Sequence, residues 1–258
     1  RQVMTLLIEP IKSDLLINDT QVSLLIGFAF SIFYISMAIP IARLVDRGNR
    51  VNIISLGVFF WSLMTAVCGL AKNYWQLFLA RVGVGVGEAT LTPAVYSLIP
   101  DYFPKEKLGT AVGFYMLGMS FGTGFALVLG GAILSYVSNI GDIVFPIVGT
   151  LRPWQVTFVI VGLPGIFLAL LIKLSIKEPV RRNIFDNDSS SIDKTSLISF
   201  LDNNKKTLSL ITLAYSFGGM VFYGFLTWIP EHLRRAFDWD ISNAGYVFGL
   251  MLAIFGSF

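Results

Sequence analysis

The sequence predicts an all-α protein that crosses a membrane several times. Of its 258 residues, 55% are hydrophobic and only 14% are charged, whereas a soluble domain has about 25% charged residues. Long apolar runs alternate with short polar segments, and one longer polar segment, residues 177–206, interrupts the series. We therefore expect an N-terminal helical bundle over residues 1–176, a linker over 177–206 and the start of a second bundle over 207–258.

The spans follow one another along the chain. Residues 1–17 have apolar positions at helical spacing, but their charged side chains make the segment too polar to cross a bilayer, as is typical of the outer end of a spanning helix. Asp19 and Thr20 offer an N-cap for the first full span. The apolar runs lie at residues 22–44, 51–71, 75–104, 109–136, 154–176 and 207–230, and a last one begins near residue 244. Because its first and last helices are incomplete, the chain is expected to be part of a longer protein.

The span at residues 75–104 carries two charges, Arg81 and Glu88. On a helix Arg81, Gly85 and Glu88 occupy positions i, i+4 and i+7 and share one face. A charge at the centre of a bilayer costs about 2.5 kcal/mol or more, so this face is expected to line a polar interior that handles ions or solutes. The alternative is that both charges only pair with other helices to hold the bundle together. The glycines between them are expected to form a close-packing surface.

The distribution of Lys and Arg predicts the orientation. If the loop at residues 42–50 is cytoplasmic, the cytoplasmic side collects a large excess of the basic residues, as the positive-inside rule requires. The span at residues 75–104 then runs from the outside to the inside and places Glu88 near the middle of the membrane.

Several functional classes find no support in the residues. No basic run alternates with aromatic residues, so nucleic acid is not an expected partner. The single cysteine, Cys68, allows no internal disulfide, and the single histidine, His232, gives a histidine-based metal site nothing to build on. Because there is no nucleophile motif, histidine cluster or carboxylate pair within one span, neither an enzyme nor a bound cofactor is expected.

Two short motifs resemble those of the major facilitator superfamily. Residues 42–50 read ARLVDRGNR and resemble the signature G-x-L-A-D-R-x-G-R-R, with alanine in place of the leading glycine and a different order around Gly48. The second motif, L-x-x-x-R-x-x-Q-G-x-G, is matched at Leu77, Arg81, Gly85 and Gly87. Val84 replaces its glutamine. The resemblance implies a partial major facilitator fold: the end of helix 1, helices 2 to 7 and part of helix 8 out of twelve.

Longer runs are similar to the bacterial branch of the Spinster family, namely RVGVGVGEATLTPAVYSLIPDYFP, the DRGNR form of the loop and RPWQVTFVIVGLPGIFLALLI. That family consists of proton-coupled or facilitative carriers, and its animal members export lysolipids and sphingoid phosphates. The resemblance implies that Glu88 carries the proton, that Arg81 is its charge partner, and that an acidic residue of helix 1 lies just before Arg1. It also implies an integral, multi-pass protein of a bacterial cytoplasmic membrane.

A cytoplasmic gate is expected from Asp46, Arg47, Arg50 and Asp101. Asp46 is placed to interact with helix ends and cations at the cytoplasmic face and so to lock one state. The alternative for Arg47 and Arg50 is that they only anchor the loop to anionic lipid.

Four tyrosines are candidates for the wall of a substrate cavity together with Arg81: Tyr34, Tyr115, Tyr215 and Tyr223. Core packing or a place in the interfacial aromatic belt is the alternative for each of them. A partial match to an antiporter motif involves Gly109, Gly118 and Gly122, and it indicates close helix contact rather than a direction of transport.

The resulting prediction is a secondary active transporter that works by alternating access. It would move a small organic or amphiphilic solute, lysolipid-like and anionic, coupled to protons through Glu88. A sugar-acid or organic-anion proton symporter is the alternative within transport, because Arg81 also suits a carboxylate. A non-transporting sensor or scaffold is the alternative of another class, because it would keep the same spans. The expected partners are the solute, protons and the lipid bilayer, with the protein as a monomer.

Overall fold

A computed structural model describes residues 2–146, 148–181 and 194–255 of the chain, with side chains described outside 194–198. The chain divides into two compact units, one formed by Arg1–Val180 with Pro230–Phe258 and the other by Arg181–Ile229. The part of the predicted linker at residues 182–193 lies outside the described residues, and the boundaries of the two predicted bundles stay a prediction.

The described residues are predominantly helical. In chain order the α-helices are α1 (Ile8–Leu15), α2 (Asp19–Ser23), α3 (Ala29–Arg47), α4 (Arg50–Cys68), α5 (Tyr74–Glu88), α6 (Leu91–Tyr102), α7 (Leu108–Ile140), α8 (Pro153–Ser175), α9 (Lys194–Asn203), α10 (Lys205–Phe237) and α11 (Ile241–Phe255). Short 3-10 helices occupy Gln2–Leu6 and Lys105–Lys107, and a π-helical turn at Leu24–Phe28 joins α2 to α3. Between α7 and α8, β1 (Ile143–Phe145) and β2 (Gly149–Leu151) form an antiparallel hairpin.

Six stretches of the described residues are long and apolar enough to cross a membrane: Asp19–Arg47, Arg50–Cys68, Tyr74–Tyr102, Lys105–Ile140, Pro153–Ser175 and Lys205–Phe237. They confirm the predicted all-α, multi-pass membrane fold. The residues predicted as a polar linker also include α9, which lies just before the last of these stretches.

The N-cap of α2 is Asn18 rather than Asp19 or Thr20. The Asn18 Oδ1 atom accepts a hydrogen bond from the Gln21 backbone N–H at 2.9 Å, and Gln21 Oε1 accepts one from the Asn18 N–H at 3.0 Å. This reciprocal pair is a capping box, which satisfies two backbone donors at once. The prediction was wrong by one residue because Asn, Asp and Thr are all suitable N-caps. Asp19 therefore keeps its carboxylate for other partners.

The predicted span at residues 75–104 is helical but interrupted, because α5 ends at Glu88 and α6 begins at Leu91. Pro93 accounts for the break: a proline lacks the N–H that would bond the carbonyl four residues earlier, here that of Ala89, and its ring clashes with that carbonyl. The shared face of Arg81 and Glu88 survives, since both lie within α5. The break leaves Glu88 as the last residue of its helix.

The glycines of α5 form a close-packing surface, as predicted. A Cβ atom at Gly85 would lie 2.4 Å from the Phe30 carbonyl oxygen of α3, and one at Gly87 would lie 2.7 Å from the Trp61 nitrogen of α4. Backbone atoms cannot move aside as the end of a flexible side chain can. The three helices therefore approach this closely only because α5 carries glycine at these positions.

The Gly85→Ala variant of the full-length protein is expected to be destabilised by about 1–3 kcal/mol, because the added methyl group overpacks the contact between α5 and α3. The free energy of unfolding in detergent would measure the effect. Gly118→Ala in α7 is the matched control, since within the described residues no atom lies within 4 Å of a Cβ there. Equal stability of the two variants would contradict the close approach at Gly85.

Close helix contact was wrongly predicted for three glycines of α7, since within the described part of the chain no atom lies within 4 Å of a Cβ at Gly109, Gly118 or Gly122. The contact begins farther along the helix, where a Cβ at Gly124 would lie 2.4 Å from the Gly249 carbonyl oxygen of α11. The reason is that α7 approaches α11 only in its second half. The first half of α7 leaves large side chains exposed, such as Phe114.

Candidate functional site

Arg81 is buried, with 1% of its surface exposed. Its Nε atom donates a long hydrogen bond to the Leu25 carbonyl oxygen at 3.5 Å, and its guanidinium carbon lies 5.9 Å from the centroid of the Phe30 ring. Leu25 belongs to the π-helical turn before α3, and such turns occur frequently at functional sites. The carbonyl and the face of the aromatic ring both attract a cation, so Arg81 is held as a fixed positive charge.

Glu88 is half-buried and lies beside a group of hydroxyl-bearing side chains. It is near enough to Tyr115 for an electrostatic interaction, and the Tyr115 hydroxyl also interacts with the side chain of Thr92. The Tyr34 and Thr92 hydroxyl oxygens are 3.5 Å apart, and the rings of Tyr96 and Tyr115 meet edge to face with their centroids 5.6 Å apart. We call Tyr34, Thr92, Tyr96 and Tyr115 the tyrosine cluster.

Phe30 connects Arg81 with the tyrosine cluster. Its ring stacks on that of Tyr34 with the centroids 5.4 Å apart, and the guanidinium of Arg81, which belongs to α5, lies over the same Phe30 ring. Along α5, Arg81 and Glu88 are seven residues and about 10 Å apart. The structure therefore places a fixed cation and a carboxylate on one wall that is lined by aromatic rings and hydroxyl groups. Such a wall offers a solute both apolar contact and a few oriented polar groups.

The four predicted cavity tyrosines fall into two groups. Tyr34 and Tyr115 belong to the tyrosine cluster near Glu88, whereas Tyr215 and Tyr223 lie in the second unit and are 81% and 48% exposed. A place in the cavity stays a prediction for all four. Thr92 and Tyr96 were missed, and the signal that could have found them is their spacing of four and eight residues after Glu88.

A cluster of charges surrounds Arg50 at the end of the helices that the predicted orientation places on the cytoplasmic side. Arg50 is 1% exposed and forms a short ion pair with Asp101 of α6, which is 6% exposed. Its Nε atom donates to Glu178 Oε1 at 2.6 Å, and its Nη1 atom donates to the Ser97 carbonyl oxygen at 2.9 Å. The second oxygen of Glu178 accepts from the Val51 N–H at 3.0 Å. We call Arg50, Asp101 and Glu178 the cytoplasmic triad.

The structure brings Arg50 and Asp101, two of the four predicted gate residues, into direct contact. Arg50 and Asp101 meet in the cytoplasmic triad, while Asp46 and Arg47 are exposed near the end of α3. Glu178 was not among the predicted residues, although an acidic residue two positions after the last apolar residue of a span, here Ile176, is a usable signal. A gating role stays a prediction for all four residues.

A second cluster of charges lies near the start of the chain and the end of α10. Arg235 donates to both carboxylate oxygens of Asp19 at 2.9 Å, and Lys12 lies 2.7 Å from Asp19 Oδ1. Arg234 pairs with the buried Glu231 at 2.8 Å. It also lies 3.2 Å from Glu9 Oε2. We call Glu9, Lys12, Asp19, Glu231, Arg234 and Arg235 the outer charge cluster.

The outer charge cluster joins elements that are far apart in the sequence. Asp19 and Arg235 are separated by 216 positions, and by the predicted orientation both lie on the outer side of the membrane. A bidentate pair between an arginine and a carboxylate fixes geometry as well as charge. Among the described residues, no three His, Cys, Asp or Glu side chains come together in a way that could hold a metal ion.

Comparison with known proteins identifies the family. The Major Facilitator Superfamily profile matches residues 2–258. The structure is similar to a crystal structure described as a bacterial homologue of the human lysosomal transporter Spinster in an inward-facing and unoccupied conformation, with a TM-score of 0.81 and 35% sequence identity over 98% of this chain and 55% of the other.

Two curated relatives have similar coverage. An "MFS-type efflux pump" of Mycolicibacterium smegmatis is 28% identical over 99% of this chain and 56% of its own length. A "Probable L-galactonate transporter" of Escherichia coli is 26% identical over 95% of this chain and 52% of its own length. The chain thus spans about half the length of the relatives it matches. With its spans, its motifs and the match along its length, this chain belongs to the Major Facilitator Superfamily.

Proposed function

We propose that the protein containing this chain is a secondary transporter that moves an anionic, amphiphilic solute by alternating access and couples this movement to protons through Glu88. The observation that carries the proposal is the wall on which buried Arg81 and half-buried Glu88 flank the tyrosine cluster. Ionisable groups within membrane spans are costly and therefore mark solute or proton pathways. The proposed location is a bacterial cytoplasmic membrane, and the proposed working unit is a monomer.

The chemistry of the wall supports an anionic solute with an apolar part. A guanidinium can donate two parallel hydrogen bonds to two oxygens of a phosphate or carboxylate group, so Arg81 suits an anionic head group. The rings of Tyr34 and Tyr96, which are not buried, offer contact to an apolar body. The similarity to a relative of Danio rerio described as "Sphingosine-1-phosphate transporter SPNS2" supports the same class of solute.

A sugar acid is the second candidate solute. The hydroxyl groups of Tyr34, Thr92 and Tyr115 lie close together and can exchange hydrogen bonds with the hydroxyl groups of a sugar. The relative described as an L-galactonate transporter supports this alternative. The carboxylate of a sugar acid would then occupy the place of the anionic head group at Arg81.

Alternating access is supported by the difference in packing between the two halves of α7. The second half of α7 packs closely on α11, and the outer charge cluster ties the start of the chain to the end of α10. The first half of α7, which the predicted orientation places toward the cytoplasm, has exposed side chains. We propose an inward-facing state for the protein, which is the conformation given for the similar solved structure. In this state, the proposed role of Asp46 and Arg47 is to help close the cytoplasmic side when the protein changes conformation.

The Asp19→Asn variant of the full-length protein is expected to open its outer side more often, because the bidentate pair with Arg235 is lost. The partners are 45% and 38% exposed, so the pair contributes about 0.5–1 kcal/mol, which corresponds to a two- to fivefold change in population. The measurement is the rate at which an impermeant maleimide added outside labels a Ser242→Cys reporter, which is 5% exposed in this state.

The control for this experiment is Asp202→Asn, because the ion pair of Asp202 with Lys205 is exposed and lies in the second unit. In the control, which also carries Ser242→Cys, the maleimide should label the reporter at the same rate as in the parent that carries only Ser242→Cys. If the reporter in the Asp19→Asn variant is also labelled at the parental rate, the outer charge cluster does not hold the outer side closed.

The transport proposal is tested with the full-length protein in liposomes. Internal pH is recorded while lysolipids, sphingoid bases, sphingoid phosphates or sugar acids are added to separate samples. Proton movement evoked by the phosphorylated amphiphiles alone supports the primary proposal, and movement evoked by sugar acids alone supports the alternative. If folded protein moves neither protons nor labelled solute of any class, a non-transporting role replaces both.

A further inference from the structure

A groove on the surface of the first unit runs between α4 and α8 and has a volume of about 830 Å³. This volume falls within the usual range for ligand sites, about 300–1,000 Å³. The wall of the groove is apolar along most of its length and includes Leu56, Phe59, Leu163, Phe167 and Leu170. These five side chains are between 42% and 67% exposed although they lie on membrane-spanning helices. None of them belongs to the wall that carries Arg81 and Glu88.

The length of the groove matches one leaflet of a bilayer. On α8 its lining extends from Leu163 to Lys173, which is ten residues and about 15 Å along the helix axis. The hydrocarbon core of a bilayer is about 30 Å thick, so one leaflet contributes about 15 Å. Lys173 lies two residues before the end of α8 at Ser175. The groove therefore starts near the middle of the membrane and ends at the level of the head groups.

The end of the groove at Lys173 is polar and positively charged. The Lys173 Nζ atom donates a hydrogen bond to the side-chain oxygen of Asn52. Within the described residues Lys173 forms no ion pair with a carboxylate. At the floor of the groove, the Ser55 hydroxyl donates a hydrogen bond to the Ala169 carbonyl oxygen at 2.7 Å, which joins α4 to α8 and satisfies this hydroxyl of the groove lining. The polar end of the groove thus offers a cation whose neighbour is a neutral amide.

We propose that this groove binds a phospholipid of the cytoplasmic leaflet, with one acyl chain along the apolar wall and an anionic head group at Lys173 and Asn52. Charge complementarity selects this occupant, because basic pockets between membrane helices on the cytoplasmic side bind anionic lipid head groups. The match between the groove and one leaflet selects it as well. The proposal rests on the placement of the chain in a membrane and on the predicted orientation, and it is independent of whether the protein transports a solute.

Native mass spectrometry of the full-length protein in detergent tests the proposal. The protein is mixed with phosphatidylglycerol or with phosphatidylcholine that has the same acyl chains. A single basic side chain contributes about 1 kcal/mol to the attraction of anionic lipid, so phosphatidylglycerol should be retained about fivefold more than phosphatidylcholine. Lys173→Gln should reduce this ratio to less than about twofold, while Lys173→Arg should keep it.

Two further variants make the result specific to the groove. Lys107→Gln, which removes an exposed cation outside the groove, should leave the ratio unchanged. Leu170→Trp fills the groove and should lower the retention of both lipids, in protein whose unfolding temperature shows that it is folded. Equal retention of the two lipids by the unsubstituted protein would overturn the proposal, as would an undiminished ratio in Lys173→Gln. Association with a second copy of the protein that Leu170→Trp abolishes would overturn it in favour of a protein contact.

Discussion

The Glu88→Gln variant of the full-length protein is expected to lose proton-driven solute accumulation down to the level of protein-free liposomes. Glutamine has nearly the size of glutamate and keeps polar groups that can form hydrogen bonds, but it cannot bind and release a proton. If the proton that drives transport binds at Glu88, the imposed pH gradient then has no group on which to act. Solute exchange between equal pools should continue at a rate within a few-fold of the parent, because Arg81 and the aromatic wall remain.

Accumulation and exchange should be measured on the same liposomes, with and without an imposed pH gradient. Glu106→Gln is the matched control, since Glu106 is an exposed acidic residue in the short 3-10 helix at Lys105–Lys107. The control should accumulate solute at the parental rate. Accumulation by Glu88→Gln at the parental rate would show that the proton binds elsewhere. A loss of both accumulation and exchange would show instead that Glu88 acts in solute binding or in folding.

The Arg50→Met variant is expected to be destabilised by about 3–5 kcal/mol, because it leaves Asp101 and Glu178 without their shared partner. Asp101 is 6% exposed and Glu178 is 21% exposed, so water replaces the lost cation poorly. The expected loss is larger than for the outer pair between Asp19 and Arg235, whose side chains are 45% and 38% exposed. The free energy of unfolding of the full-length protein in detergent measures the difference.

Two comparisons identify the buried charge as the cause of the loss. The triple variant Arg50→Met, Asp101→Asn, Glu178→Gln should recover much of the stability, since no uncompensated charge remains. Arg47→Met removes an exposed cation three positions away and should change the stability by no more than about 0.5 kcal/mol. If Arg50→Met is as stable as Arg47→Met, the cytoplasmic triad does not stabilise the bundle.

The membrane spans were predictable from the sequence because their signal is local. An apolar run of sufficient length crosses a bilayer wherever it occurs, and the shared face of Arg81 and Glu88 follows from helical spacing alone. The break after Glu88 was also encoded locally, in Pro93, but a composition that remains apolar across the break conceals it. The N-cap was displaced by one residue because neighbouring residues are almost equally suitable.

The contacts that build the candidate site could not be predicted in this way. Arg50 meets Glu178 across 128 positions, and only the packing of α4 against α8 brings the two together. The same holds for Thr92 and Tyr34, which meet through the packing of α6 beside α3. The glycines of α7 show the reverse case, since a local pattern indicated contact at Gly118 where the tertiary arrangement leaves open space.

The glycine contacts of the first bundle have a mechanical consequence. Backbone meets backbone where Gly85 faces Phe30, where Gly87 faces Trp61, and where a Cβ at Gly162 of α8 would lie 2.6 Å from the Ala66 nitrogen of α4. Close-packed interiors have low compressibility and transmit strain rather than absorbing it. If the protein works by alternating access as proposed, the helices joined in this way are expected to rotate together as one rigid body, so that a displacement at one surface produces an opposite displacement at the other. Opening at one face of the membrane and closing at the other would then be two results of a single rotation, with no separate signal between the two faces.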